Sequence, residues 1–432
     1  METLHSLAKE LNATLQRDYP LALSLLSERG RRIYFPRTGI LGQTTEALGT
    51  TFNATIGIAL EDDGSPLHHA FFDQRIHASP GQIHPYAPSP GITEFRELWR
   101  KEIRRKNPFI DFDLSLPVVT CGLTHALSTA LLLFVDPEEE VIITDFHWDN
   151  CDLIIREYLG AELKPFRMLA GDGWDLESFR SALRGEKPGN RVALLNVPNN
   201  PTGYSPTVAE AKQIADVLIA EAQRGSFITV ILDDAYFGFG HEADVYPESL
   251  IALLGDAHES ILVAKVDGPT KEDCTWGHRI GCLTFAGKGM TTAAADALAW
   301  KAAGIVRATI STAPRLFQEL LIELYQDPGY AASHTRMVDL ISRRFRAAKA
   351  AAADPRYAKF FRPLPANAGY FLCIELAEGL DGNAVRKRLI AEYDTGVVAF
   401  GRLLRIAYSC IAEEKIPELF ERIFQVCGDR KK

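Results

Sequence analysis

The strongest constraint on this chain is a change of apolar period that repeats through its middle. Short β-rich runs read as strands: EVIIT (140–144), RVALLNV (191–197), FITVILDD (227–234), SILVAKV (260–266) and RIGCLTF (279–285). Helical stretches lie between several of them. THALSTALLLFV (124–135) is apolar on nearly every face, the pattern of a buried helix, and TVAEAKQIADVLIAEAQR (207–224) is amphipathic. Strands alternating with helices predict an α/β fold, with a mostly parallel sheet covered on both faces. After about residue 314 the texture changes. Two long helical stretches are followed by the strand-like runs AGYFLCIEL, GVVAF and LLRIAYS, then by a helix near PELFERIFQ. This pattern predicts a large domain at 60–316 and a smaller α+β domain at 317–432. The first 59 residues are expected to pack with the smaller domain, so that both ends of the chain build it.

Composition narrows the function. The chain has 432 residues, 47 Lys plus Arg against 56 Asp plus Glu, and a net charge of -9. That balance argues against a nucleic-acid surface, though one pocket can still be locally positive. No run approaches the roughly 20 apolar residues of a membrane helix, and METLHSLAKELNATLQ lacks the pattern of a signal peptide. The seven cysteines are scattered and include no CxxC pair, so no zinc site is suggested and a reducing cytoplasm fits best.

In an open α/β sheet, ligands sit beyond the carboxyl ends of the strands. The residues that follow each strand are therefore the candidates: PNNPTG (198–203), DDAYFGF (233–239), DFHWDN (145–150), DGPTKEDCTWGHRIG (267–281), and TCGLTHA (120–126) ahead of the buried helix. Each has an ordinary alternative. Asn-Asn-Pro-Thr-Gly is good turn chemistry. Asp233 could cap a helix, Trp148 could be a rim aromatic, and Gly122 with Thr124 could start a helix. Lys271, beside Glu272 and Asp273, could be a solvated turn cation. Those readings do not explain why a carboxylate, an amide, a phenol, an indole, a lysine and an arginine meet on one edge. Pyridoxal 5'-phosphate would use them all. Its aldehyde needs an amine, its ring nitrogen a buried carboxylate, its phenolate oxygen donors, its ring an aromatic face, and its phosphate a helix N-terminus with an arginine.

In these segments the chain resembles the fold-type-I aminotransferases of class I/II, and most closely the aspartate and aromatic aminotransferases. NNPTG is similar to the family's Asn-Pro-Thr-Gly motif, which implies that Asn200 meets the phenolate oxygen. DDAY resembles Asp-x-x-Tyr, with Asp233 as partner of the ring nitrogen and Tyr236 as the second phenolate partner. Lys271 and Arg279 have the family spacing of the Schiff-base lysine and a phosphate arginine. GLTHAL resembles the phosphate loop, with Gly122, Leu123 and Thr124 as donors, and Trp148 falls where the ring-stacking aromatic sits. YAPSPGITEFR (86–96) is similar to a segment whose tyrosine, here Tyr86, reaches the phosphate of a neighbouring subunit. RIAYS (405–409) resembles the motif whose arginine, here Arg405, binds the substrate α-carboxylate. Gly57, in FNATIGIALEDDGSP, and Arg307, in RATISTAP, resemble substrate residues of the aspartate and aromatic enzymes; Arg307 would cross a dimer interface to a side-chain carboxylate.

The resemblance implies a homodimer with shared active sites. It implies transfer of an amino group between an α-amino acid, dicarboxylic or aromatic, and a 2-oxo acid. Three positions depart from the family pattern. Gly268 stands where a Ser or Thr is usual, with Thr270 as the compensating hydroxyl. Val197 stands at the first Asn of Asn-Pro-x-Asn-Pro-Thr-Gly, and Cys151 stands where aspartate aminotransferases have a histidine. These departures and the Glu272–Asp273 pair keep open a lyase or a β- or γ-replacement enzyme on the same scaffold. A cofactor-binding regulatory module is a third reading, but the first sixty residues show no basic helix-turn-helix.

Overall fold

A computed structural model describes residues 4–36, 39–75 and 79–429. Its centre is a seven-stranded sheet. The strands are β1 (Val118–Cys121), β2 (Glu140–Thr144), β3 (Glu162–Phe166), β4 (Asn190–Asn196), β5 (Phe227–Asp233), β6 (Ile261–Asp267) and β7 (Ile280–Gly287). Their spatial order is β1-β7-β6-β5-β4-β2-β3. β2 to β6 pair in parallel, and β7 alone runs antiparallel to both its neighbours.

Both faces of the sheet are buried, and the sequence alternates accordingly. Ile143, Leu194, Ile231, Ala264 and Leu283 face one apolar cluster. Their neighbours Ile142, Ala193, Leu195, Val230, Leu232, Val263 and Cys282 face the other. The apolar helix Gly122–Phe134 lies in the first cluster, and the helix Val208–Gln223 covers the second. A capping box starts the latter: Glu210 N–H donates to the Thr207 hydroxyl, and Thr207 N–H donates back to the Glu210 carboxylate.

The C-terminal part carries a four-stranded antiparallel sheet. Its strands are β8 (Phe361–Pro363), β9 (Phe371–Leu376), β10 (Val398–Phe400) and β11 (Leu403–Ala407). The helices Tyr330–Ala352 and Gly382–Tyr393 pack on it, with Ile416–Gly428 against both of them, while Arg315–Gln326 packs on the helix Thr93–Lys106 in the second apolar cluster. Residues 52–54 run beside it: Phe52–Asn53 pairs in parallel with Thr395–Gly396, and Ala54 bonds to both Gly396 and Ala407. The helix Ile40–Glu46 is fastened to the same region, because the buried Gln43 amide donates to Ala399 O and accepts from Ala399 N–H.

One glycine joins the two parts. Gly203 sits at φ 73°, and its carbonyl accepts from the N–H groups of Asn367 and Ala368. A Cβ there would lie 1.8 Å from the main-chain oxygen of Phe371, which cannot move without the whole strand β9. Gly203→Ala is expected to cost about 2–4 kcal/mol of stability through overpacking and an unfavourable φ. A melting temperature several degrees below wild type would show it; an unchanged one would contradict this packing.

Candidate active site

The carboxyl ends of β4, β5 and β6 and the start of the helix after β1 open onto one cavity of about 360 Å³. Ten of the fourteen candidate residues line it. From the strand ends come Asn200, Asp233, Tyr236, Lys271 and Arg279. Leu123, Thr124 and Trp148 come from the elements beside them, and Gly57 and Arg405 from the segments next to the C-terminal sheet. Gly122 lies directly behind the guanidinium of Arg279.

The acid and the amine set each other's state. Burial pushes the Asp233 carboxyl up to about 6, although the Lys271 ammonium pulls it down. Burial likewise lowers Lys271 from the ordinary 10.5 to about 8, opposed by Asp233 and assisted by Arg279. The Lys271 Nζ stands 5.3 Å from the centre of the Tyr236 ring. Burial raises that phenol well above its ordinary range, so Tyr236 stays protonated and able to donate.

Asn196 is a site residue that the motifs did not single out. Its Nδ2 donates to the main-chain oxygen of Asp233 at 3.0 Å, and its Oδ1 accepts from Asn200 N–H at 2.8 Å. It also lines the cavity. The amide expected at Val197 is displaced by one residue, while Val197 itself is buried in the core. The available signal was an Asn closing the β-rich run RVALLN. Ile40, Leu41 and Phe371 complete the wall; Ile40 is brought there by its N–H bond to the Asp149 carboxylate at 3.0 Å.

The opposite end of the cavity is shaped for an anion. No side chain caps the helix Gly122–Phe134, so the orphan N–H groups of its first turn are available. Arg279 takes the left-handed conformation, φ 55°. A Cβ at Gly122 would lie 2.4 Å from its Nη2, and one at Gly281 would lie 2.5 Å from the Gly122 carbonyl carbon. Glycines at 122 and 281 are thus what let the guanidinium and the helix start converge.

Close approach also explains Gly268. A Cβ there would meet Gly281 Cα at 3.0 Å and Ile280 O at 3.1 Å, so β6 and β7 leave little room for a serine. Thr270, the hydroxyl expected to compensate, is engaged elsewhere. It lies off the cavity wall, with its hydroxyl donating to Ile280 O at 2.8 Å.

Arg405 is fully buried. It donates to Asn200 Oδ1 at 2.9 Å and to Thr55 O at 2.7 Å, and its guanidinium stacks 4.3 Å from the centre of the Phe371 ring. Its Nε has no partner, so a donor remains for an arriving anion. Two candidates stand apart from the cavity within one chain. Tyr86 is 87% exposed, and Arg307, in the last turn of the helix Thr292–Thr309, donates to Ser311 Oγ just beyond it. Glu272 and Asp273 turn their side chains away from the cavity, toward Lys106 and toward Tyr325 and Tyr330 respectively.

The family model described as aminotransferase class I and II matches residues 55–423, most of the chain and every strand of both sheets. The chain belongs to this family. Its members depend on pyridoxal phosphate, and the unspent Arg405 Nε, the buried Asp233 and the Gly122–Arg279 cradle fit that cofactor and an amino-acid substrate.

Among curated relatives, the chain is 28% identical over 180 residues to the probable N-succinyldiaminopimelate aminotransferase DapC of Mycobacterium tuberculosis, 41% of this chain and 42% of that protein. It is 28% identical over 198 residues to the aspartate/prephenate aminotransferase of Thermus thermophilus, 45% and 47% of the two chains. The matched stretch thus spans less than half the length of these relatives. The fold resembles an aminotransferase from Anaerococcus prevotii, with TM-score 0.81, 20% identity, and 94% of this chain and 100% of that chain covered. It also resembles Thermus thermophilus aspartate aminotransferase with maleate, with TM-score 0.72, 19% identity, and 93% and 99% covered.

The depressed Lys271 has a measurable consequence. Below its pKa the amine is protonated and inert toward electrophiles; above it the amine is neutral and reactive. In this aminotransferase-family protein freed of cofactor, Lys271 is expected to react with an amine-directed reagent with a midpoint near pH 8, because burial lowers it from the ordinary 10.5. Exposed lysines should react with a midpoint about two units higher. Peptide mass spectrometry across pH reads this, and a Lys271 midpoint above 10 would contradict the buried environment.

Proposed function

We propose that the protein is a pyridoxal-phosphate-dependent aminotransferase that moves an amino group between an α-amino acid and a 2-oxo acid. The observation that carries this reading is the convergence of Asp233, Lys271, Arg279 and Arg405 from separate segments on one cavity. When bound, pyridoxal phosphate supplies an aldehyde and an electron-withdrawing ring that stabilises negative charge at the substrate α-carbon. Everything else is supplied by the chain.

Arg279, Thr124 and the N–H groups of Leu123 and Thr124 would hold the phosphate, and Trp148 would cover the ring. Asp233, buried and under the influence of the Lys271 ammonium, would keep a proton on the ring nitrogen. Asn200 has its Oδ1 occupied by Arg405, so its Nδ2 is the end free to donate to the ring oxygen, beside the Tyr236 hydroxyl. Lys271 would make the covalent attachment. Once released by the substrate amine, its nitrogen would take the α-proton and return it one carbon away. A pKa near 8 leaves a usable neutral fraction at physiological pH. Arg405 would grip the α-carboxylate and aim the α-hydrogen at Lys271.

Tyr86 and Arg307 fit this reading as residues donated between the subunits of a homodimer, since each is outside its own chain's cavity. Arg307 would then read a side-chain carboxylate; the alternative class is aromatic. The name of the Thermus thermophilus relative, an aspartate/prephenate aminotransferase, supports the dicarboxylic choice. All seven cysteines are free, in keeping with a reducing cytoplasm. Among the described residues, no helix is long and apolar enough to cross a membrane. The comparisons favour amino-group transfer over elimination or replacement.

Mixing the purified protein with each amino acid, and then with a second 2-oxo acid, tests the reading. A 2-oxo acid product and a new amino acid are expected; ammonia or an expelled leaving group would overturn it. Lys271→Ala should abolish turnover, and Arg405→Ala should raise the activation free energy of kcat/KM by about 2–5 kcal/mol, the scale of losing one partner from a buried charge pair. Activity with aspartate or glutamate, lost in Arg307→Ala, would support dicarboxylate recognition, and aromatic-only activity would exclude it.

A further inference from the structure

Lys271 is carried by a helix of only four residues, Pro269–Glu272. So short a helix has almost no stability of its own. Main-chain bonds close it and the turn that follows, from Asp273 N–H to Pro269 O at 2.9 Å, from Thr275 N–H to Thr270 O at 3.1 Å and from Cys274 N–H to Lys271 O at 3.2 Å, and Tyr370 OH donates to the Lys271 carbonyl at 2.9 Å. What aims the Lys271 amine must therefore come from outside the helix.

Two side chains that follow Lys271 supply fixed points. Glu272, 4% exposed, is ion-paired with Lys106 at the end of the helix Thr93–Lys106. That Lys106 also lies 4.3 Å from the centre of the Trp99 ring. Asp273, 1% exposed, accepts from Tyr325 OH at 2.6 Å and from Tyr330 OH at 2.9 Å. Its Oδ1 also stands 3.6 Å from His69 Nε2, within ion-pairing reach. Tyr325 lies in the last turn of the helix Arg315–Gln326 and Tyr330 begins the next, Tyr330–Ala352, which runs on toward the C-terminal sheet.

The same construction occurs behind the acid. Asp233 faces the cavity, and the next residue, Asp234, points backward to Ser249 and Lys265. Lys265 also pairs with Asp267 at 3.3 Å, and Asp267 accepts from Trp99 Nε1 at 3.0 Å. Asp233 and Lys271 are thus each followed by an acid buried on the far side. Burying charges costs several kcal/mol per ion unless partners are well placed, and apolar packing would fill the same volume without that penalty. What these charges supply is direction.

We propose that Glu272 and Asp273 are positioning residues, which keep the Lys271 amine in the cavity it shares with Asp233 by fastening its short helix from behind to Lys106, Tyr325 and Tyr330. The inference rests on the functional reading above and assigns a role to an acid pair that touches neither substrate nor cofactor. Loss of these bonds lets the helix turn, so that the amine samples poses away from the cofactor aldehyde.

The test uses the full-length protein, freed of cofactor, as wild type, Glu272→Gln, Asp273→Asn and the double variant Tyr325→Phe/Tyr330→Phe. The rate of covalent capture of added pyridoxal phosphate at Lys271 is followed by absorbance and confirmed by reduction and peptide mass spectrometry. Hydrogen exchange in residues 268–275, melting temperature and steady-state kinetics are measured alongside. Capture slowed by about tenfold or more in Asp273→Asn and in the double tyrosine variant is expected. It should come with faster exchange confined to 268–275, a fall in kcat with KM little changed, and a melting temperature within a few degrees of wild type. Should Asp273→Asn fail to fold, the tyrosine variant, which leaves the carboxylate in place, gives the decisive rate. Wild-type capture with every folded variant within twofold of it would overturn this inference and leave the functional reading standing. Wild-type protein that captures no cofactor would overturn both.

Discussion

A buried amine and a buried carboxylate share one cavity, and much of the structure exists to keep them there. Alone, each would resist its charged form. Together, burial holds Lys271 near 8 and Asp233 near 6, each moderated by the other. The pair is poised so that small changes in local charge move protons at ordinary pH. That poise depends on position, because the attraction falls steeply when water or distance intervenes.

Position follows from the sheet. A strand alternates its side chains, so a strand that ends on the cavity sends one terminal residue forward and the next backward. Asp233 and Asp234 divide in this way. Beyond β6, the turn through Gly268 starts the short helix, whose Lys271 and Glu272 divide likewise. The front residues meet the ligand space and the rear residues meet a network of lysines, phenols and an indole. Two apolar clusters, one on each face, hold the strands that carry both sets.

Much of this was legible in the residues themselves. The five strand runs of the central domain fall within a residue or two of β2, β4, β5, β6 and β7, because a strand buried on both faces is a continuous apolar run. Of the C-terminal strands, β9, β10 and β11 were legible from their apolar runs, and the three-residue β8 was not. In the central sheet, β1 and β3 were not singled out. β1 is short, and β3 carries a lysine and a proline, as suits the edge strand that it is. In the site, residues inside local motifs could be named, since spacing along the chain survives folding there. Asn196, Ile40, Leu41 and Phe371 could not, because their place on the wall is fixed by contacts with distant segments. The rear partners of Glu272 and Asp273 were hidden for the same reason: Lys106 lies 166 positions away and Tyr330 lies 57. Tyr86 and Arg307 are a third kind, residues whose proposed use needs a second chain.

The departures from the family pattern read differently once packing is in view. Gly268 is set by the closeness of β6 and β7, so its missing hydroxyl is a consequence of backbone approach. Cys151 is another matter. It is buried, and burial together with the Asp233 charge pushes its thiol well above the ordinary value, so it stays neutral. A neutral thiol is a weak donor. The Asp233 carboxylate therefore leans on the Lys271 amine and the Ala235 N–H for its charge. A site organised in this way ties the ionisation of the acid to the state of the lysine. Whatever holds Lys271 in place also sets the charge on Asp233, and with it, in the proposed function, how firmly that acid would hold a proton on the ring nitrogen. That link gives the buried acid pair behind Lys271 a consequence on both sides of the cavity.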